Sequence, residues 1–283
     1  MHYLLQSNER VAMSNKIKWF SIVLCMVISS YIVVYRFSNN SPYNEKNIPL
    51  TCNSCIIESY CIEDVLKYAK DSSAIVVFDL DNTIVYPGQD LGSEQWFGYM
   101  LNQKLAAGMN RQDALAEVLP IYYKVHDHIS LQPVEPSSAT TISMLQKKGI
   151  TTLALTSRSL PLIERTKAQL KELGISFTCS EEFNKELSIA LEKQAILSNG
   201  IIFCNDNNKG KTLIKTLQTC NCRPATIVFV DDKLHHVLDV EKECLLNNIH
   251  FVGIRYGKLD AVAAQFDPKR AEQQYTALFN AIA

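Results

Sequence analysis

Two groups of carboxylates stand out because each closes an unbroken apolar run. AIVVF leads into FDLDNT, which sets Asp79 and Asp81 two residues apart with Thr83 behind them, and VFVDD ends in the adjacent pair Asp231 and Asp232. Carboxylates held this close raise one another's pKa and lose stability unless a cation or a proton relieves them. The first group alone also reads as a turn built on Asp81 and Asn82. Two such groups fit a hard divalent cation, with water and a ligand oxyanion completing an octahedron at about 2.0 to 2.1 Å. LALTSR adds the hydroxyls of Thr156 and Ser157 and the charge of Arg158. NDNNKGKTL offers Lys209 and Lys211 where a helix would begin, and free N–H groups at a helix start favour an anion.

These residues meet only if the runs that carry them lie side by side. AIVVF (74–78), ITTLAL (150–155), GIIFC (200–204), ATIVFV (225–230) and HFVGI (250–254) alternate with helical patterns over 59–70, 137–148, 161–173, 210–217 and 235–247. Continuous apolar strands separated by helices are what a parallel sheet covered on both faces requires, so the chain reads as α/β, a doubly wound parallel sheet. Ligands bind such sheets outside the carboxyl ends of the strands, where strand order reverses, and that is where the acids, hydroxyls and lysines fall. Residues 93–130 read as helical, inserted after the first strand over the sheet's edge as part of a cap of about residues 90–135. Trp96, Tyr99, Arg111, Tyr122, Tyr123, His126 and His128 are its candidate substrate contacts, most of them better suited to packing or solvent. Residues 269–282 have helical apolar spacing and are expected to cover the core.

The order FDLDNT, LTSR, NKGK, VDDK on alternating strands resembles the four motifs of the haloacid dehalogenase superfamily of aspartate-dependent phosphohydrolases, over about residues 74–256. LGSEQWF and the apolar N-terminal segment resemble a little-characterised bacterial branch. The resemblance implies a Rossmann-like core and a helical cap that controls substrate entry. It makes Asp79 the nucleophile that forms an aspartyl-phosphate, and Asp81 the acid that protonates the leaving oxygen and then activates water. Thr156 would hold the phosphoryl group and Lys209 would neutralise it, with Lys211 the rival. Asp79, the Asp81 backbone carbonyl and Asp231 or Asp232 would ligate Mg²⁺. Thr83, Ser157, Arg158 and Lys211 would contact substrate. A carboxylate at Asp81 points to phosphoryl transfer and away from dehalogenation. The implied reaction is Mg²⁺-dependent hydrolysis of a small phosphomonoester. A phosphotransferase or mutase on the same site, and a catalytically idle domain that binds a partner at the membrane, are the alternatives.

Composition narrows the partners. The 283 residues carry 28 Lys plus Arg against 29 Asp plus Glu, a formal charge of −1, so the basic footprint of a nucleic-acid binder is missing. Residues 19–35, WFSIVLCMVISSYIVVY, are uncharged and lie between Lys18 and Arg36. They read as a membrane anchor or signal segment, preceded by a cytoplasmic stretch (1–18) and followed by a linker (36–58) and the catalytic domain (59–283). Arg10, Lys16 and Lys18 before the segment favour a domain outside the cytoplasm, periplasmic or exported, with secretion after cleavage as the alternative. Eight cysteines follow the segment, an even number that suits disulfides, with Cys52, Cys55 and Cys61 the expected staple. Gly210-Lys211-Thr212 lacks the earlier glycine of a nucleotide-binding loop, which is Asn205 here, and His235 and His236 read as surface residues.

Overall fold

The computed structural model describes residues 53–177 and 180–282. The expected membrane segment, Cys52 and Cys179 lie outside the described residues; among those described, no helix is long and apolar enough to cross a membrane. The strands are β1 (Ser54–Ser59), β2 (Ala74–Phe78), β3 (Val85–Tyr86), β4 (Gln132–Pro133), β5 (Thr151–Thr156), β6 (Glu186–Ile189), β7 (Ala195–Ser198), β8 (Ile201–Phe203), β9 (Thr226–Asp231) and β10 (His250–Tyr256). Eight of them form one sheet in the order β1-β10-β9-β2-β5-β8-β7-β6, parallel from β1 to β8. The chain is therefore α/β with a doubly wound, largely parallel sheet.

Two departures from the expected strands have a common cause. Ser54–Ser59 belongs to the sheet, although 36–58 reads as linker, because β1 is an edge strand held by β10 alone and its run SCIIES is only half apolar. The pair β6 and β7 extends the other edge antiparallel, and β6 is largely solvent-facing. Edge strands need only one apolar face, so four to six residues of them leave little pattern in a sequence.

Central strands show the opposite behaviour. In β2, Val76 and Phe78 join Val228, Val230 and Ile254 on one face, whereas Ile75 and Val77 join Ile227, Phe229 and Phe251 on the other. Period-two alternation with both faces covered yields the unbroken run AIVVF. The first face is covered by a 3-10 helix (Ile62–Lys67) in place of the expected α-helix, with Ile62 and Val65 buried at its three-residue repeat. From β2 the chain steps to β5 and β8, then returns to the other side of β2 to form β9. Strand order thus reverses between β2 and β9.

The cap rises between β2 and β5 on the two-stranded ribbon β3–β4 and consists of α1 (Glu94–Ala106) and α2 (Arg111–His128). Ser93 caps α1, its hydroxyl accepting the Trp96 amide at 3.1 Å. The core helices are α3 (Ser138–Lys147), α4 (Ile163–Glu172), α5 (Lys209–Thr219) and α6 (Leu234–Leu246), followed by a short turn, α7 (Asp260–Ala263), and the final helix α8 (Pro268–Ala281). Helix α8 covers the cap instead of the sheet. Ala271, Tyr275, Leu278 and Phe279 pack with Leu91, Trp96 and Tyr122, Arg270 bonds Asp90, and Gln274 accepts the Leu91 amide at 2.8 Å.

Gly210 belongs to helix packing. A Cβ there would lie 2.3 Å from the Asp239 carbonyl oxygen, so only glycine lets α5 approach α6 this closely. Gly98 on α1 has nothing within 4 Å of the same position. Gly210→Ala is expected to lower unfolding free energy by about 2 kcal/mol in urea titrations, through forced displacement of packed backbone. Gly98→Ala, free of any clash, should raise it by about 1 kcal/mol through helix propensity.

Candidate active site

Pairing of β2 with β9 brings the two acid groups level. The Asp79 amide donates to the Val230 carbonyl at 2.8 Å, so both strands end at the same height and their acids face one cleft. Carboxylate oxygens of Asp79, Asp231 and Asp232 lie within 4.8 Å of one another, the first two buried and the third partly so. Asn208 fixes which lysine joins them. Its side chain accepts the Lys211 amide at 3.0 Å and starts α5 so that Lys209, the first helical residue, projects into the cleft. Lys209 Nζ lies 2.6 Å from Asp79 and 2.7 Å from Asp231. Lys211 is exposed and does not line the cavity, which corrects its expected place beside substrate.

The charges here are strongly coupled. Burial pushes Asp79 well above the ordinary carboxylate range, with Lys209 opposing and Asp231 and Asp232 adding to the rise. Burial acts the same way on Asp231, but Lys209 and a hydrogen bond from His236 outweigh it and bring it down to about 2. Asp232 rises to about 7, through burial first and then through Glu94 and Asp231, against Lys233. Burial alone would lower Lys209, yet its two carboxylate partners raise it. Asp79, Asp81, Asp231, Asp232 and Glu94 face Lys209, Arg158 and Lys233, so five acids against three cations leave two negative charges. A hard divalent cation fits that balance and an all-oxygen donor set, so Asp79, Asp231 and Asp232 are the residues that would hold Mg²⁺.

Several expected contacts are turned to other work. The Asp81 carboxylate lies outside the metal cluster because Arg158 grips it twice, Nε to Oδ2 at 2.9 Å and Nη2 to Oδ1 at 2.8 Å. Arg158 lines the cavity but is itself buried, with Nη1 donating to Thr166 and Gln169, so its guanidinium is committed to Asp81 and to these two side chains. Thr156 is fully buried and its hydroxyl accepts the Arg158 amide at 3.2 Å. Thr83 is equally buried and accepts the Asp232 amide at 3.1 Å, which ties the two acid loops together. Neither threonine lines the cavity, whereas Ser157 does.

Two members escape the sequence. Glu94, at the start of α1, bonds Lys233 and accepts Asn82 Nδ2 at 2.9 Å. His236 is part-buried, with Nδ1 3.2 Å from Asp231, which corrects its reading as a surface residue. A lysine directly after the acid pair was the available signal for the first contact; His236 has none, because its place depends on how α6 starts. The cavity above the acids has a volume of about 140 Å³, and the cap closes it with Glu94, Phe97, Leu119, Tyr122 and Tyr123. Trp96 and His126 are buried within the cap, Tyr99 and Arg111 face solvent, and His128 packs on Phe279.

In open α/β sheets of this class the crevice at the reversal of strand order is the ligand site, and the acids occupy it here. Residues 58–283 match the family described as "Protein of unknown function (DUF2608)", and the chain belongs to that family. A Chlamydia pneumoniae relative whose given name refers to the outer membrane is 28% identical over 181 residues, covering 64% of this chain and 68% of its own. An uncharacterised Rickettsia prowazekii protein is 25% identical over 232 residues, covering 79% and 84%. Among solved structures, a haloacid dehalogenase-like hydrolase of Streptococcus pneumoniae is similar at 14% identity and a TM-score of 0.41, covering 67% of this chain and 97% of its own. A class C acid phosphatase of Bacillus anthracis, solved with tungstate bound, is similar at 13% and 0.34, covering 77% and 82%.

Raised carboxylates set the sign of a pH effect. Asp232 destabilises the metal-free fold above its unfolded value of about 3.8, so stability is expected to fall as pH rises from about 4 to about 7. Asp232→Asn should flatten this slope in thermal melts. Mg²⁺ at about 100 times its Kd should raise Tm by roughly 5–10 °C at pH 7.5, and by less at pH 5.5, where protons compete for the same oxygens.

Proposed function

We propose that this chain hydrolyses phosphomonoesters with Mg²⁺ through an aspartyl-phosphate on Asp79, with the domain outside the cytoplasm. The observation that carries the chemistry is Lys209, held between Asp79 and Asp231 on the floor of a capped cavity. Lys209 occupies Asp79 Oδ1, and Oδ2 carries no hydrogen bond among the described residues, so one oxygen of the nucleophile is fixed while the other is left to attack phosphorus. The Lys209 ammonium then offsets charge on the phosphoryl oxygens, with the Ser157 hydroxyl beside them. Asp79, Asp231 and Asp232 would hold Mg²⁺, which when bound would supply further charge compensation.

Asp81 serves the second half of the reaction. Burial favours its neutral form, but Arg158 outweighs burial and holds it as a carboxylate, ready to take a proton from the attacking water. To serve the first half it must pick up a proton from solvent against the pull of Arg158, so esters of acidic alcohols leave most readily. The cap excludes bulk water during transfer. The substrate is a small molecule, no nucleic acid is involved, and residues 19–35 attach the domain to the membrane unless cleaved. The names of the chlamydial relatives support an envelope location. Among the described residues, Cys61, Cys204, Cys220, Cys222 and Cys244 are free thiols, the buried ones packing as small apolar side chains.

Purified protein is expected to release phosphate from an aryl phosphate with Mg²⁺ and not with chelator. Asp79→Asn should abolish release, by more than about 10³-fold, while far-ultraviolet circular dichroism stays unchanged. Asp81→Asn should slow turnover by about 10² to 10⁴ and accumulate a hydroxylamine-labile phosphoprotein, because the attack survives and its resolution does not. Full activity in Asp79→Asn would end this reading.

A further inference from the structure

The cavity has two unlike halves. Its floor carries the acids, Lys209 and the Ser157 and Ser159 hydroxyls, all suited to a metal-bound phosphoryl group. Its roof is Phe97, Leu119, Tyr122 and Tyr123, with Glu94 at one side already bonded to Lys233 and Asn82. The aromatic part of the roof is packed ring against ring. Tyr122 stands between Phe97, at 5.1 Å and edge-on, and the rings of Trp96 at 6.1 Å and His126 at 4.3 Å.

Among the described residues, every basic group at the cavity is committed to an acid. Lys209 serves Asp79 and Asp231, Arg158 is bidentate on Asp81, Lys233 serves Glu94 and Asp232, and His236 meets Asp231. Nearby cap cations face elsewhere: Arg111 reaches Asp206 on the surface, and Lys124 lies over Phe279 of α8. A carboxylate or second phosphate on the substrate would therefore lose its water without gaining an uncommitted cation as partner. A ring or short apolar chain would meet surfaces it can stack on.

We infer that the alcohol portion of the substrate is aromatic or apolar and bears no second anionic group, so that bisphosphates and phosphorylated carboxylic acids are rejected. This rests on the hydrolase reading above, because it assigns the floor to phosphate.

Binding of phosphonates that cannot be hydrolysed separates the two readings. With Mg²⁺ present, calorimetry is expected to give phenylphosphonate a Kd at least about 10-fold lower than phosphonoacetate, with methylphosphonate between them. Phe97→Ala should weaken phenylphosphonate and leave methylphosphonate unchanged. Leu119→Lys, which places an uncommitted cation in the roof, should strengthen phosphonoacetate about 10-fold. Phosphonoacetate binding as tightly as phenylphosphonate to the unaltered protein overturns the inference. Preference for phenylphosphonate without turnover of phenyl phosphate supports the apolar roof and removes the hydrolase reading. Faster turnover of phosphoglycolate than of phenyl phosphate keeps the hydrolase and overturns the inference, and binding of none of the three phosphonates overturns both.

Discussion

One buried ammonium group organises this molecule. Lys209, 2% exposed, joins the start of α5 to the ends of β2 and β9, and its two carboxylate partners are as deeply placed as it is. Two acids side by side in such a position are untenable alone, and a cation with hydrogen bonds to both makes the arrangement stable. The same contact leaves the cluster one positive charge short of neutral before Asp232 is counted, which creates the demand for a metal. Position, charge and metal affinity thus follow from a single side chain, whose direction is set in turn by the Asn208 cap.

A second arrangement orders the polar groups around that centre. Arg158, Thr156 and Thr83 spend their hydrogen bonds on other parts of the site, the arginine on Asp81, the hydroxyls on the amides of Arg158 and Asp232. Such contacts hold loops in register, and leave reactive atoms to few residues. Gln169 extends the arrangement toward the cap, accepting from Arg158 while its own amide lies 3.3 Å from the Ile129 carbonyl at the end of α2. The carboxylate of Asp81 and the end of α2 are therefore linked through Arg158 and Gln169.

The parts of this site that could be read from the sequence are those in which a local pattern and a chemical group coincide. AIVVF and TIVFVD are buried on both faces, so they read as central strands, and acids at their ends mark the crevice. Lys209 and Lys211 could not be told apart, because the distinction depends on where α5 begins. Arg158 shows its charge in the sequence but not its partner, which comes from a loop 77 residues earlier. Glu94 and His236 depend on how the cap and α6 are set against the sheet, and no spacing encodes that. The edge strands β1 and β6 were obscured for a simpler reason, since one exposed face removes the apolar run that marks a strand.

The placement of α8 bears on how the cavity is kept covered. All strands of the sheet, and every residue of the acid cluster, precede residue 257, yet the roof of the cavity rests on side chains between Ala271 and Phe279. Loosening of α8 would therefore unsettle the roof while the sheet and its acids keep their places, so access to the acids depends on how firmly this one helix is seated.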